Sequence, residues 1–482
     1  MDGDDLWSLS GTEQARLIRQ GKASASEVVA SVLKRIEDVD PTVNAYCTLS
    51  ERASSDARAA DQALQDGRDL GPLHGVPVSV KDLVLTEGLR TTFGSKLYAD
   101  HVPIEDDIVV ERLRKAGAII IGKTNVPEFG YHGVTDNFLF GPTRNPWDPA
   151  MTAGGSSGGA GAAVAAGMGS LAVGSDGGGS LRIPSAFCGL FTLKGTFGRV
   201  PLYPGCRVPD VPGGSSWETL ECLGPMTRTV ADSALMLSIM AGEDRRDRHS
   251  LPGAGPEFVS AMTQEIRGLR IAWSPTLGYA TPDTEVRELC ARAVAVFESE
   301  FGCTVDEVDP GIPNVGTSFW ALVAADTDLR RLRRIRQERP DDLSQSLRGL
   351  LDTPWSAEDF TDAAMVRQEI SNTMWRFMDR YDLLLTPTTA CAAFPVGREA
   401  PERLAGRTDV TLLDWLPYTF PFNMTGQPAA NVPVGFTAGG LPVGLQLVGR
   451  RLADHTLLAA AASFERARPW AGRRPTLKKR AG

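Results

Sequence analysis

Residues 174–182 read GSDGGGSLR, and shortly before them residues 153–167 read AGGSSGGAGAAVAAG. Glycine adopts backbone angles that other residues avoid and lets main-chain N–H groups approach a ligand, but it is entropically costly to order. Two serine-centred glycine clusters this close together therefore point to a backbone shaped for a task.

Working outward, the flanking sequence alternates helical and strand-like patterns. Residues 24–40, SASEVVASVLKRIEDVD, open with an S-x-x-E capping box and place Val29, Val32, Leu33 and Ile36 on one helical face, with Pro41 expected to end the run. VPVSV (76–80) is a short apolar run ending at Lys81-Asp82, and AGAIIIGKTN (116–125) has the same buried-strand character after the helical pattern IVVERLRKA (108–116). Further strand candidates are LRIAWS (269–274), YDLLLTPT (381–388), AANVPVGF (429–436) and LPVGLQLVG (441–449), before a closing helix at 454–467. Helices alternating with apolar strands indicate an α/β fold. The expected organisation is a single domain over 1–482 with an N-terminal helical extension (1–70). Two insertions, 201–224 and 316–380, would shape a pocket. The first is rich in Pro and Gly. The second is helical and carries Phe319, Trp320, Trp355, Phe360, Trp375 and Phe377, aromatics more often found in cores than in pockets.

Composition narrows the function classes. Of 482 residues, 42% are hydrophobic and 23% charged, enough to bury a large core. A net charge of −9 argues against a nucleic-acid or anionic-membrane surface, and the basic run RRLRRIRQER (330–339) reads as a solvated helix face. Seven cysteines, odd in number and without a C-x-x-C pair, suggest neither a disulfide framework nor a zinc site, and favour a reducing compartment. The acidic opening MDGDDLWSLSGTEQ lacks signal-peptide order, and the apolar stretch 160–173 is too short to span a bilayer. The expectation is a cytoplasmic enzyme without metal or cofactor.

Several catalytic patterns fail their context tests. GGSSG (154–158) matches G-x-S-x-G, but the preceding RNPWDPAMTA has two prolines and no strand pattern. There is no phosphate loop and no H-E-x-x-H, and each of the five histidines reads as structural or exposed. A different scheme suits the residues better. A serine hydroxyl needs a base to take its proton, and a lysine held neutral by burial can serve. Lys81 ends an apolar strand, where desolvation would lower its pKa. Ser180 would attack a carbonyl, and the N–H groups of Gly177, Gly178, Gly179 and Ser180 would hold the oxyanion. One such donor contributes about 2.7–4 kcal/mol to the transition state.

The sequence resembles the amidase signature hydrolases. The likeness rests on GVPVSVKD (75–82), GPTRNPWDP (141–149), GGSSGG (154–159), GSDGGGSLRIPSAFCGLFTLKGTFGRVP (174–201), GPMTRTVAD (224–232) and PFNMTGQPAANVPVGF with GLPVGLQLVG (421–449), six motifs in order over most of the chain. It implies a large twisted mixed β-sheet flanked by helices on both faces. It makes Ser180 the acylated nucleophile, Ser156 the bridging serine after a cis peptide bond, and Lys81 the base. Ser157, Asp176 and Arg182 would brace the loops, and Gly130, Tyr131 and Gly155 would meet the substrate. The chain departs from the family at Gly177, where Thr or Ile is usual, and at TLKGT (192–196), where GxKPT is usual.

The implied activity is hydrolysis of amide bonds in apolar or aryl small molecules, extending to carbamates and esters, by a free-standing enzyme or homodimer. A second reading is an amidotransferase A-type subunit using ammonia from glutamine within a multi-protein complex. EFGYHG (128–133) stands where that subunit tends to have DEFAMG, which favours the hydrolase. A third reading, a non-catalytic scaffold, conflicts with the intact Lys81, Ser156 and Ser180.

Overall fold

Pro77–Lys81, five consecutive buried residues, form the strand that ends in the candidate base. A parallel strand covered on both faces reads as a continuous apolar run rather than an alternating one, which is why PVSV was legible. The computed structural model describes residues 3–68, 70–204, 217–253 and 255–477. Its strands in chain order are β1 (Tyr46–Leu49), β2 (Pro77–Lys81), β3 (Ile119–Thr124), β4 (Arg144–Asn145), β5 (Asp148–Thr152), β6 (Leu171–Asp176), β7 (Phe191–Lys194), β8 (Cys222–Thr227), β9 (Arg270–Trp273), β10 (Thr304–Glu307), β11 (Leu383–Pro387), β12 (Ala429–Phe436) and β13 (Pro442–Gly449).

Among the described residues, eleven of these make one sheet in the order β1-β3-β2-β6-β8-β7-β12-β13-β11-β9-β10, and β4 pairs with β5 as a separate ribbon. The sheet is mixed. β3, β2 and β6 run parallel, as do β11, β9 and β10, while the pairings from β6 through β8, β7, β12 and β13 to β11 are antiparallel. Successive residues of a strand face opposite sides. Accordingly Ile120 joins a core cluster with the helices Val230–Met240 and Asp454–Ala467, whereas Ile119 and Ile121 join another with Ala25–Val43 and Gly158–Ala166. Helices thus pack on both faces of the sheet.

The segment Gly158–Ala166 is a helix buried all round, as an apolar helix of small residues must be. A Cβ on Gly159 would lie 2.3 Å from Asn125 N, so only glycine lets this helix lie against the end of β3. Among the described residues no helix is long and apolar enough to cross a membrane.

Three local expectations need correction. The helix Ala25–Val43 carries the capping box of Ser24 and Glu27 but continues past Pro41 to Val43 before Asn44 caps it in the left-handed region. The proline costs one intrahelical bond in the final turn, where few are left to lose. The segment 1–70 is not purely helical, because β1 pairs antiparallel with β3 and forms the sheet edge. The stretch 144–152 does hold strand, as the β4–β5 ribbon; Pro149 is tolerated there because a two-stranded ribbon leaves one side of each strand unpaired. The insertion 316–380 is helical, with helices Gly316–Ala325, Leu329–Glu338, Gln345–Asp352 and Ala357–Met378. Of the insertion 201–224, residues 205–216, including Cys206, lie outside the described residues. The other six cysteines are free.

Candidate active site

β2 delivers Lys81 and β6 runs directly into the glycine turn that carries Ser180, so two neighbouring parallel strands aim their ends at one place. The Lys81 side chain is fully buried. Its Nζ hydrogen-bonds Ser156 Oγ at 2.7 Å, Ser175 Oγ at 2.9 Å and the Ser175 carbonyl at 3.4 Å. Ser156 follows a cis peptide bond from Gly155. The two serine loops are tied together where the Ser157 N–H donates to the Ser180 carbonyl at 3.2 Å. Ser157 Oγ also donates to the Ser175 carbonyl (3.1 Å) and accepts from the Ser175 N–H (3.2 Å).

The turn that presents Ser180 is held from beneath by a buried charge pair. Arg182, fully buried, grips both carboxylate oxygens of Asp176 at 2.9 Å and donates further to the Thr419 carbonyl, Gln446 Oε1 and Asn423 Oδ1. Burial alone would raise the Asp176 pKa, but Arg182, Lys194 and the Asn423 amide overcome it and hold the carboxyl well below its usual range. The carboxylate therefore stays ionised and accepts the N–H groups of Gly179 (2.7 Å) and Leu181 (3.2 Å).

One of the four amides expected to hold an oxyanion already has a partner. The Gly179 N–H already donates to Asp176 Oδ1, so it is committed to bracing the turn. The N–H groups of Gly177, Gly178 and Ser180 have no hydrogen bond among the described residues. Gly179 has φ +129°, and a Cβ there would lie 2.5 Å from Thr419 Oγ1, so position 179 requires glycine. At Gly177 the reason is different: a Cβ would lie 2.5 Å from the Trp217 ring. The indole occupies the space that a larger residue at 177 would fill.

A cavity of about 40 Å³ opens beside Ser180, lined by Gly130, Tyr131, Gly178, Trp217, Phe319 and Trp320, with Leu413 and Leu416 among its other walls. Gly130 and Tyr131, expected to meet the substrate, line this cavity. Gly155 is buried, with its Cβ direction 2.7 Å from the Val134 backbone. Tyr131 is fixed by a 2.7 Å hydrogen bond with Thr327 Oγ1 and packs on Trp217 with ring centroids 5.2 Å apart. His132, read as structural, also borders this cavity while its Nδ1 accepts the Val134 N–H. The aromatics of 316–380 divide between roles: Phe319 and Trp320 face the pocket, Phe377 packs on Tyr381, and Trp375 is exposed.

Sequence reasoning missed Ser175, Trp217 and the pocket-facing Phe319. Ser175 sat within the quoted motif, but nothing local marks which of its serines meets Lys81. Trp217 and Phe319 reach Gly177 and Gly178 only through long-range packing. Among the described residues there is no cluster of three or more metal-ligating side chains.

Comparison with known proteins agrees with this architecture. The amidase family model matches residues 27–458. The chain is 43% identical to an acylamidase of Rhodococcus erythropolis, covering 98% of both chains. It is 40% identical to the A-type subunit of the glutamyl-tRNA(Gln) amidotransferase of Moorella thermoacetica, covering 98% of this chain and 99% of that one. Among solved structures it is similar to a bacterial aryl acylamidase of the amidase signature family, with TM-score 0.88 and 32% identity over 96% of this chain and 97% of that one.

Proposed function

The chain belongs to the amidase family and is an amide hydrolase; from that premise we propose that it cleaves apolar or aryl small-molecule amides through an acyl-enzyme on Ser180. Carbamates and esters, which present the same carbonyl to the same serine, fall within the proposal. The observation that carries it is the buried Lys81 amine 2.7 Å from Ser156 Oγ, beside the turn that presents Ser180 to an apolar cavity.

The reaction follows from the groups present. Burial favours the neutral amine. Neutral Lys81 takes the Ser156 proton as Ser156 takes that of Ser180, and Ser180 Oγ bonds to the substrate carbonyl carbon. The carbonyl oxygen becomes the oxyanion and accepts from the N–H groups of Gly177, Gly178 and Ser180. As the C–N bond breaks, the ammonium of Lys81 returns its proton through Ser156 to the departing nitrogen, which leaves as a neutral amine. Water then attacks the acyl-enzyme by the same relay, giving the acid and restoring Ser180. The Ser175 hydroxyl holds the Lys81 amine in place throughout.

The test is a turnover screen of aryl amides, primary amides, carbamates and esters with the wild type, Lys81→Ala and Ser180→Ala. The expected result is kcat/KM reduced by about 10³-fold or more in Lys81→Ala and about 10⁴-fold or more in Ser180→Ala, as for other relays whose members act as a unit. A fluorophosphonate adduct, read by intact mass, should form on the wild type and not on Ser180→Ala. An adduct that persists in Ser180→Ala overturns the assignment. Glutaminase activity that appears only with added partner chains would favour the amidotransferase reading, which the similarity to the Moorella protein supports.

A further inference from the structure

The cavity at Ser180, about 40 Å³, has room for a carbonyl and roughly one or two carbons, well short of the roughly 300–1,000 Å³ typical of small-molecule sites. A second cavity of about 380 Å³ lies next to it, lined by Thr317, Ser346, Leu350 and Trp355. Two residues, Trp320 and Leu413, line both cavities. They form the partition between the small pocket and the large one.

The two ends of the small pocket differ chemically. A Cβ on Gly130 would lie 3.3 Å from Ser156 Oγ, so the Gly130 end is where the departing nitrogen receives its proton. Elsewhere on the cavity wall the Phe319 ring lies 2.6 Å from the Cβ direction of Gly178, and Trp320 follows on the same helix, Gly316–Ala325. With the oxyanion at Gly178 and the nitrogen toward Gly130, the wall left to the acyl chain is that of Trp320, Leu413 and Leu416.

We infer that Trp320 and Leu413 form an acyl-length stop: short acyl groups end against them, and their removal joins the Ser180 pocket to the adjoining apolar chamber, admitting long acyl chains. The inference rests on the hydrolase reading above and adds to it the substrate class, amides of short carboxylic acids. The chamber walls, two tryptophans and two leucines with three hydroxyl-bearing residues, suit an alkyl or aryl-alkyl tail once the partition is gone.

The experiment measures kcat/KM for p-nitroanilides of straight-chain acids from two to ten carbons, with wild type, Trp320→Ala, Trp320→Leu and Leu413→Ala. A parallel series keeps the acetyl group and enlarges the amine. A methylene in an apolar pocket changes selectivity by about 10-fold or more. Wild type should therefore favour two to four carbons, and the variants should raise the ratio of eight-carbon to two-carbon kcat/KM at least 10-fold while leaving the amine series unshifted. Trp320→Leu and Leu413→Ala carry the test if Trp320→Ala does not fold. An acyl profile unchanged in the folded variants, or a shift in the amine series instead, overturns the inference while wild-type turnover and Ser180 labelling keep the hydrolase reading intact. A wild type without turnover or labelling overturns both.

Discussion

At the scale of single residues, the exchange between Gly177 and Trp217 shows how one position depends on another forty residues away. The family's usual Thr or Ile at 177 would collide with the indole, whose ring stands 2.5 Å from the Cβ direction of Gly177. Gly177→Ala should therefore displace either Trp217 or the N–H groups that face the oxyanion, and lower kcat/KM by about 10- to 100-fold, part of the effect of losing an oxyanion donor. Trp217→Ala in the same chain should recover most of that loss, because the methyl group then has space. A double-mutant cycle with no coupling between the two sites would show that the contact does not control the loop. This pairing also marks the limit of reading the site from sequence. Lys81, Ser156 and Ser180 stood out in the sequence because each stands beside a local signal, an apolar strand end or a glycine run. Trp217, Ser175 and Phe319 were not, because their meaning lies in contacts across the fold rather than in their neighbours along the chain.

At the scale of elements, the Ser180 turn depends on an ion pair shared between a strand end and a helix start. Asp176 ends β6, Arg182 begins the helix Arg182–Cys188, and the two residues bracket the glycine turn. Arg182 also reaches Thr419, Asn423 and Gln446, so one guanidinium joins the turn to the segment 419–424 and to β13. Removing one partner of a buried pair leaves the other charged and unsatisfied, at a cost of about 3–5 kcal/mol. Arg182→Ala should lower the melting temperature by roughly 3–5 °C and reduce fluorophosphonate labelling of Ser180, because the released carboxylate no longer fixes the Gly179 amide. Arg182→Lys, which keeps the charge but not the bidentate grip, should recover stability only in part; full recovery would show that charge alone matters. Six of the thirteen described strands, β2, β3, β9, β11, β12 and β13, were legible as apolar runs, since burial leaves few polar positions to blur them. Of the strands not read, β1, β10 and the β4–β5 ribbon lie at an edge or outside the sheet, where polar residues and proline are tolerated, while β6, β7 and β8 are central strands interrupted in sequence by glycine, serine, threonine or proline.

At the scale of the whole molecule, distant parts of the chain meet at the start of the helix Val230–Met240. Asp232 accepts the N–H groups of Gly11 and Thr12 at 3.0 and 2.8 Å, and Glu465, on the helix Asp454–Ala467, accepts the Val230 N–H through both oxygens at 3.3 and 3.2 Å. Nothing in the local sequence announces this clasp, because capping partners more than 200 residues apart leave no periodic trace. Burial, reinforced by the nearby Asp232 and opposed by the Val230 N–H, raises the Glu465 pKa to about 7. An unfolded glutamate titrates near about 4.3. Between those values the folded chain holds a proton that the unfolded chain has lost, so this group stabilises the fold fully below about pH 4.3, and its contribution falls as pH rises to about 7. Glu465→Gln keeps an acceptor for Val230 and removes the titration. Relative to the variant, the wild type should lose about 2–4 °C of melting temperature between pH 5 and 7.5. Carboxylates away from this clasp, Asp176 among them, titrate alike in both proteins and cancel in the difference. Melting curves that stay parallel across that range would place the Glu465 proton elsewhere and leave the clasp to its hydrogen bonds alone.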